Sequence, residues 1–230
     1  MRDWVIGMGL AALATVPLVA APARPAAAES CDIALILSFD VSVSMDASEF
    51  KWMREGTAAA LLDPSVVESF SSGTVFVQVN EWADDQAVLM DWTQIAGQTD
   101  LERLAALLTN APRSVVGSST GLGSAMLFGA AQFTRGPVCD RMVLDVAGDG
   151  ESNTGPHPQS VREGLDPAMQ INALATTREA AHFYKAYVIQ GAGAFVEQTD
   201  GFERFAEAMK AKLNLELFLS DVERPGLRNL

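Results

Sequence analysis

Short, almost uninterrupted runs of hydrophobic residues alternate along the chain with longer segments in which hydrophobic residues recur at helical spacing. The first run, residues 33–39, is apolar at nearly every position, which is typical of a strand covered on both faces. The next segment, residues 50–62, has the spacing of a helix. This pair predicts the beginning of a βα unit.

The alternation continues through most of the chain. Further strands are predicted at residues 74–82, 87–92, 142–147, 170–174 and 194–197, and further helices at 101–108, 122–133, 177–187 and 202–218. The second and third strands flank the turn-like stretch 83–85, which predicts a hairpin with one antiparallel strand. We therefore expect an α/β, doubly wound fold with a mostly parallel six-stranded sheet and one antiparallel edge strand.

The N-terminal segment has the features of a secretory signal. Arg2 precedes an apolar run at residues 4–20, and small residues lead to a cleavage position after Ala28. Pro17 lies within this run of about 17 residues, which disfavours a stable membrane span. We expect a signal peptide at 1–28, a single domain at 29–219, a flexible tail at 220–230, and export to the periplasm or the cell exterior.

Composition limits the number of domains and the kinds of partner. A chain of 230 residues with 49% hydrophobic residues can bury one sizeable core, and no shift in composition indicates a second domain. The formal net charge of −13 disfavours binding to nucleic acid or to an anionic membrane surface. The oligomeric state is left open.

Polar side chains follow two of the predicted buried strands. Asp40, Ser42 and Ser44 occupy alternate positions where the first strand ends, and Asp149 follows the strand at 142–147. Both strands begin at a Cys-Asp pair and lead into a loop that carries an aspartate. In a doubly wound sheet the ligand crevice lies at the carboxyl ends of two adjacent strands, where the strand order reverses, and these two strands fit that arrangement.

These residues carry a resemblance to a known family. Asp40, Ser42 and Ser44 match the D-x-S-x-S motif of von Willebrand factor A domains, Thr120 in GSSTGLG fits the second motif, and Asp149 in GDGESN fits the third. Together they resemble a complete metal-ion-dependent adhesion site. The stretches EWADDQAVLMDW, DVAGDGESNTG, INAL and GAFV also resemble a bacterial family of secreted A-domain-like proteins of unknown function.

The resemblance implies a set of ligands and a kind of partner. Ser42, Ser44 and Thr120 would coordinate a divalent cation directly, and Asp40 and Asp149 would act largely through water. Mg²⁺ is expected, with Ca²⁺ or Mn²⁺ as alternatives, because a hard cation takes oxygen ligands. An Asp or Glu of a protein partner would complete the coordination, and no residue is expected to be catalytic.

The resemblance also bears on the two cysteines. It places the strands that follow Cys31 and Cys139 side by side and parallel, and an exported chain is in a compartment that permits disulfides. We expect a Cys31–Cys139 bridge at the sheet end opposite the metal.

Each candidate also has a simpler interpretation. The side chains of the first motif could only cap the helix that follows the first strand, and Thr120 could only be the N-cap of the helix at 122–133. Asp149 and Gly150 could only form a turn. Two other polar residues are given structural roles, because Asp145 lies inside a buried strand and Asn153 follows Asp149 in the same loop.

Two other functions remain open. The segment GSSTG, residues 117–121, matches a nucleophile elbow with Ser119 as nucleophile and with Asp166 and His182 as partners. Against this hydrolase, an elbow requires a strand directly before it, and His182 lies within a helical pattern. An assembly or chaperone module for another exported protein would use the same fold, and the sequence does not separate it from an adhesion role.

Overall fold

The computed structural model describes residues 31–222, with side chains as far as residue 217. The predicted signal peptide at 1–28 and residues 223–230 of the predicted tail lie outside the described residues. The six strands are β1 (Cys31–Asp40), β2 (Val75–Trp82), β3 (Gln86–Ile95), β4 (Cys139–Gly148), β5 (Gln170–Ala175) and β6 (Val196–Gln198).

Seven α-helices connect and flank the strands of the described region. They are α1 (Ala47–Leu61), α2 (Pro64–Ser71), α3 (Gln98–Asn110), α4 (Leu122–Phe133), α5 (Pro158–Gly164), α6 (Arg178–Tyr187) and α7 (Phe205–Val222). A single 3₁₀ turn, Phe202–Arg204, precedes α7.

The strands form one sheet in the order β3-β2-β1-β4-β5-β6. β2 and β3 pair antiparallel, and every other neighbouring pair is parallel. This confirms the predicted fold class. From β1 the chain builds β2 and β3 on one side and then returns to place β4 on the other, so the strand order reverses between β1 and β4.

Helices cover both faces of the sheet. On one face α1 packs against α3 and α7, and α2 packs against α7. On the other face α4, α5 and α6 pack against one another in sequence. β1 is buried along almost its whole length, because its side chains contribute to the core on both faces. This explains why its sequence is apolar without alternation.

Several helix boundaries differ from the predicted ones for local reasons. α1 begins at Ala47, three residues before the predicted start, because Asp46 and Glu49 form a capping box there. α2 and α5 were not predicted, and each begins with a proline after an N-cap side chain, Asp63 for α2 and His157 for α5. Helices of eight and seven residues show too few turns for helical periodicity to be recognised.

Cys31 and Cys139 are directly opposite each other at the amino ends of β1 and β4 and form a disulfide. This confirms the predicted bridge, which lies at the far end of β1 from Asp40. Within residues 31–222, none of the helices has the length and hydrophobicity needed to cross a membrane.

Candidate metal site

The first motif forms a tight turn between β1 and α1. Asp40 is fully buried at the end of β1, and its Oδ1 accepts a hydrogen bond from the Ser42 amide at 2.8 Å. The bond folds the chain back, so that the hydroxyl oxygens of Ser42 and Ser44 lie 3.0 Å apart. The backbone amide of Met45 closes the turn by donating to the Ser42 carbonyl at 3.2 Å. Alternate residues of this turn therefore bring their oxygens to one side.

The second and third motifs reach the same place from other loops. Thr120 is only 5% exposed, and its hydroxyl lies 3.3 Å from the Ser42 hydroxyl. The Ser44 hydroxyl donates to Asp149 Oδ1 at 3.3 Å. The structure thus brings all five predicted residues together at the carboxyl ends of β1 and β4, where the strand order reverses. Whether they bind a cation stays a prediction.

Asn153 holds the second and third loops together. Its side-chain Oδ1 accepts a hydrogen bond from the Thr120 backbone amide at 2.8 Å, and its backbone amide donates one to the Thr120 carbonyl at 3.0 Å. Ser152 Oγ donates to the same carbonyl at 3.2 Å. The expected structural role of Asn153 is confirmed, and the backbone of Thr120 is fixed from both sides while its hydroxyl remains directed toward Ser42.

The capping interpretations do not hold. The N-cap of α1 is Asp46, so the side chains of the first motif are not needed to begin that helix. The N-cap of α4 is Gly121, which makes no side-chain cap, so Thr120 does not cap α4. These polar side chains therefore point to one another without serving a helix terminus.

Burial dominates the electrostatics of the site. It raises the pKa of Asp40 to about 7, against the lowering effect of the hydrogen bonds from Ser42. It also raises the pKa of Asp149, against the hydrogen bond from Ser44. A cation placed near both carboxylates would stabilise their charged forms and oppose this effect of burial.

A buried oxygen atom without a hydrogen-bond partner also favours a cation at this site. Asp40 Oδ2 is buried and has no hydrogen-bond partner within the described residues. The Tyr184 hydroxyl is also buried without a partner, and burial, together with Asp40 and Asp149, raises its pKa. A buried carboxylate oxygen that lacks a partner is costly unless a cation or a bound water satisfies it.

The donor set fits a hard divalent cation. Three hydroxyls and two carboxylates supply only oxygen, which is the ligand type of Mg²⁺, Ca²⁺ and Mn²⁺. Among residues 31–217, no group of three or more His, Cys, Asp or Glu side chains is placed to hold a metal ion. A cation at this site would thus depend on the hydroxyl oxygens of Ser42, Ser44 and Thr120.

Sequence reasoning missed a second set of charged residues that supports the site. Glu81, fully buried in β2, forms an ion pair with the buried Arg54 of α1. Glu81 Oε2 also accepts from the amide and hydroxyl of Ser114, in the loop that carries Thr120. A buried glutamate within an apolar strand was the signal available in the sequence.

The doubly wound sheet, with the oxygen cluster at its switch point, has the fold of von Willebrand factor A domains. The chain belongs to the family described as "Protein of unknown function (DUF1194)", whose model matches residues 30–220. A comparison with curated proteins finds no match.

Solved structures share this fold. Proximal thread matrix protein 1 from the mussel byssus is 17% identical with a TM-score of 0.63, over 83% of this chain and 50% of that one. A von Willebrand factor type A protein from Catenulispora acidiphila is 14% identical with a TM-score of 0.60, over 80% and 42%. The PilB minor pilin from Streptococcus sanguinis is 12% identical with a TM-score of 0.62, over 86% and 63%.

The chain spans between 42% and 63% of the lengths of these proteins, and at such identities the likeness shows the fold alone. Another structure of the mussel protein has a zinc-occupied MIDAS motif, where MIDAS stands for metal-ion-dependent adhesion site. It is 14% identical with a TM-score of 0.61, over 82% of this chain and 46% of that one.

Proposed function

We propose that this chain is an exported protein-binding domain that holds a divalent cation, Mg²⁺ before Ca²⁺ or Mn²⁺, and binds an Asp or Glu of a protein partner. The observation that carries the proposal is the convergence of the Ser42, Ser44 and Thr120 hydroxyls and an oxygen of the half-buried Asp149, each 3.0–3.3 Å from the next, beside the buried Asp40. The zinc-occupied MIDAS motif of the mussel protein supports a divalent cation in this fold.

The residues of the site would bind the cation in two different ways. The hydroxyls of Ser42, Ser44 and Thr120 would bind the cation directly, while Asp40 and Asp149 would hold it through water. When bound, the cation supplies a positive centre. Because hydroxyl ligands are neutral, they leave most of its charge uncompensated. The chain's own side chains thus favour an anionic oxygen from outside as the remaining ligand.

The charge of the molecule supports the need for a cation. A protein with a formal net charge of −13 repels an acidic partner at long range, so a local positive centre is required for binding. Chelation should abolish the complex, whereas moderate salt should weaken it little, because salt also screens the long-range repulsion. The same charge disfavours nucleic acid as a partner.

Export is supported by the disulfide and by the signal-like N-terminus. Disulfides persist in oxidising compartments such as the periplasm and the cell exterior. In this proposal residues 1–28 are removed and residues 29–219 form the binding domain. No stable membrane insertion is proposed.

The hydrolase alternative lacks support in the geometry. Residues 111–121 contain no strand, so Ser119 does not sit at a strand-to-helix elbow. Ser119 lies beside Asp84, whose pKa it helps to lower, and His182 is exposed on α6. We therefore propose a binding function without catalysis; an assembly or chaperone role would use the same site and differ in the identity of the partner.

A pair of neighbouring substitutions tests the cation site. Thr120→Ala should weaken Mg²⁺ binding by at least about 10-fold because it removes a ligand oxygen, whereas Ser119→Ala, the matched control, should bind as the wild type does. Isothermal titration calorimetry with Mg²⁺, Mn²⁺ and Ca²⁺ provides the measurement. Equal Mg²⁺ affinity in Thr120→Ala and wild type would remove Thr120 from the site.

The partner is tested by capture from a cell-envelope extract in Mg²⁺ and in excess chelator. Proteins retained by the wild type only in Mg²⁺, and not by Thr120→Ala, are the expected partners. A complex that persists undiminished in chelator would contradict the proposed function.

A further inference from the structure

Arg113, in the loop between α3 and α4, clamps the turn of the first motif. Its Nη1 donates to the carbonyls of Val41 at 3.2 Å and Ser42 at 3.5 Å. Its Nη2 donates to the carbonyls of Met45 at 2.7 Å and Asp46 at 3.2 Å. One side chain thus holds four carbonyls of the turn that carries the Ser42 and Ser44 hydroxyls.

The clamp is itself held in place. The guanidinium of Arg113 lies over the ring of Phe50, 4.6 Å from its centroid, and Arg54 also lies over this ring at 5.0 Å. The next residue, Ser114, is fixed by its hydrogen bonds to the buried Glu81. The position of Arg113 is therefore determined by groups that do not belong to the first motif.

We infer that Arg113 is a positioning residue for the cation, an inference that rests on the proposed metal-binding function. It belongs to the same loop as Thr120 and hydrogen-bonds to the turn of Ser42 and Ser44, so it fixes the separation between the second motif and the first. Groups that orient metal ligands in this indirect way commonly affect metal affinity by about 10- to 100-fold.

The lysine variant separates positioning from charge. A guanidinium beside a cation repels it, so the direct effect of losing this charge is stronger Mg²⁺ binding. The charge of Arg113 also lowers the pKa of Asp40, and this second effect has the opposite sign. If Arg113 positions the turn, its loss weakens Mg²⁺ binding. Lysine at this position retains the charge but lacks the planar fork of donors that reaches several carbonyls.

The test measures the Mg²⁺ dissociation constant of three variants and the wild type by calorimetry, with thermal unfolding recorded in parallel. Arg113→Gln and Arg113→Lys should both bind Mg²⁺ about 10-fold more weakly than the wild type. Arg162→Gln is the matched control, because Arg162 Nη1 also donates to two carbonyls, of Ala186 at 3.1 Å and Ile189 at 3.3 Å, in a different part of the chain.

Other results would contradict the inference. Unchanged or stronger Mg²⁺ binding in folded Arg113→Gln would overturn it, even if the thermal midpoint fell. Phe50→Leu removes the ring that supports Arg113 without substituting Arg113 itself, and it should also weaken Mg²⁺ binding. If Arg113→Gln does not fold, unchanged Mg²⁺ affinity in Phe50→Leu would overturn the inference. A wild-type protein that binds no Mg²⁺ would overturn the proposed function, and the inference with it.

Discussion

At the residue scale, Gly148 leaves room for two polar side chains beside the candidate site. A Cβ atom at this position would lie 2.7 Å from the Tyr184 hydroxyl, 3.1 Å from Asp40 Cβ and 3.2 Å from Asp40 Oδ2. Gly148 ends β4, where backbone and side chains are buried on all sides. Any side chain here would have to displace Tyr184 or Asp40.

We predict that Gly148→Ala lowers the free energy of unfolding by about 1–3 kcal/mol, because the added methyl group overfills a packed site. Gly150→Ala is the control, since a Cβ at Gly150 would meet nothing within 4 Å. Urea unfolding followed by circular dichroism measures both. Equal stability of Gly148→Ala and Gly150→Ala would show that Tyr184 and Asp40 relax at no cost.

The five candidate site residues could be predicted because each motif is a short local pattern at the end of an element. Arg113 and Tyr184 could not be predicted in the same way. Arg113 contacts backbone carbonyls about 70 positions away. Because every residue has a backbone carbonyl, the sequence does not indicate which ones it contacts. Tyr184 approaches Asp40 because α6 packs against β5 and β6, a consequence of tertiary structure.

At the scale of elements, α7 is attached to the sheet by a buried charged network. The Lys212 ammonium, fully buried, lies 2.7 Å from Asp145 Oδ1 of β4 and also forms an ion pair with Glu216. Asn172 of β5 donates to Glu216 Oε1 at 2.7 Å. The expected structural role of Asp145 is confirmed, with Lys212 as its partner.

One lysine therefore compensates two buried carboxylates. Burial, and then the neighbouring Glu216, raises the pKa of Asp145 to about 7, although Lys212 lowers it. Because this pKa exceeds the ordinary value of 3.8, the contribution of Asp145 to stability is fully present below about pH 4 and declines as the pH rises through 7.

We predict that Lys212→Met lowers the free energy of unfolding by about 3–5 kcal/mol at pH 8, because it leaves the carboxylates buried without a cation. The loss should be smaller at pH 5, where Asp145 takes up a proton. Urea unfolding at the two pH values provides the measurement. Lys210→Met is the control, since Lys210 is exposed and pairs with the partly exposed Asp63, so its loss should change stability little.

The elements themselves were predicted to different extents. β1 and the buried second half of β4 were recognisable because strand segments covered on both faces are largely apolar. The short helices α2 and α5 were missed, although Asp63-Pro64 and His157-Pro158 are typical helix starts. Their existence depends on packing against α7 and α4, which the sequence does not display.

At the scale of the whole molecule, the disulfide and the candidate site lie at opposite ends of the same two strands. Cys31 and Cys139 join the amino ends of β1 and β4, while Asp40 and Asp149 follow their carboxyl ends. The bridge closes a loop of 108 positions. It therefore restrains the unfolded chain strongly without touching the groups of the site.

We predict that reduction of the Cys31–Cys139 bridge lowers the free energy of unfolding by about 4.7 kcal/mol, the chain-entropy value for a loop of this size. Urea unfolding of the wild type and of a double variant, Cys31→Ala with Cys139→Ala, measures the difference. Mg²⁺ affinity of the folded double variant should equal that of the wild type. Thiol labelling of unreduced, denatured protein should find no reactive cysteine; two labels per chain would refute the bridge.

The reciprocal hydrogen bonds between Thr120 and Asn153 have a mechanical consequence. One bond uses the Asn153 side chain and the other its backbone amide, so that the loop before α4 and the loop after β4 are joined into one body. The turn of the first motif is connected to this body by side chains, those of Ser44 and Arg113 among them. A force that displaces Thr120 would therefore be transmitted to the loop after β4 as well as to α4.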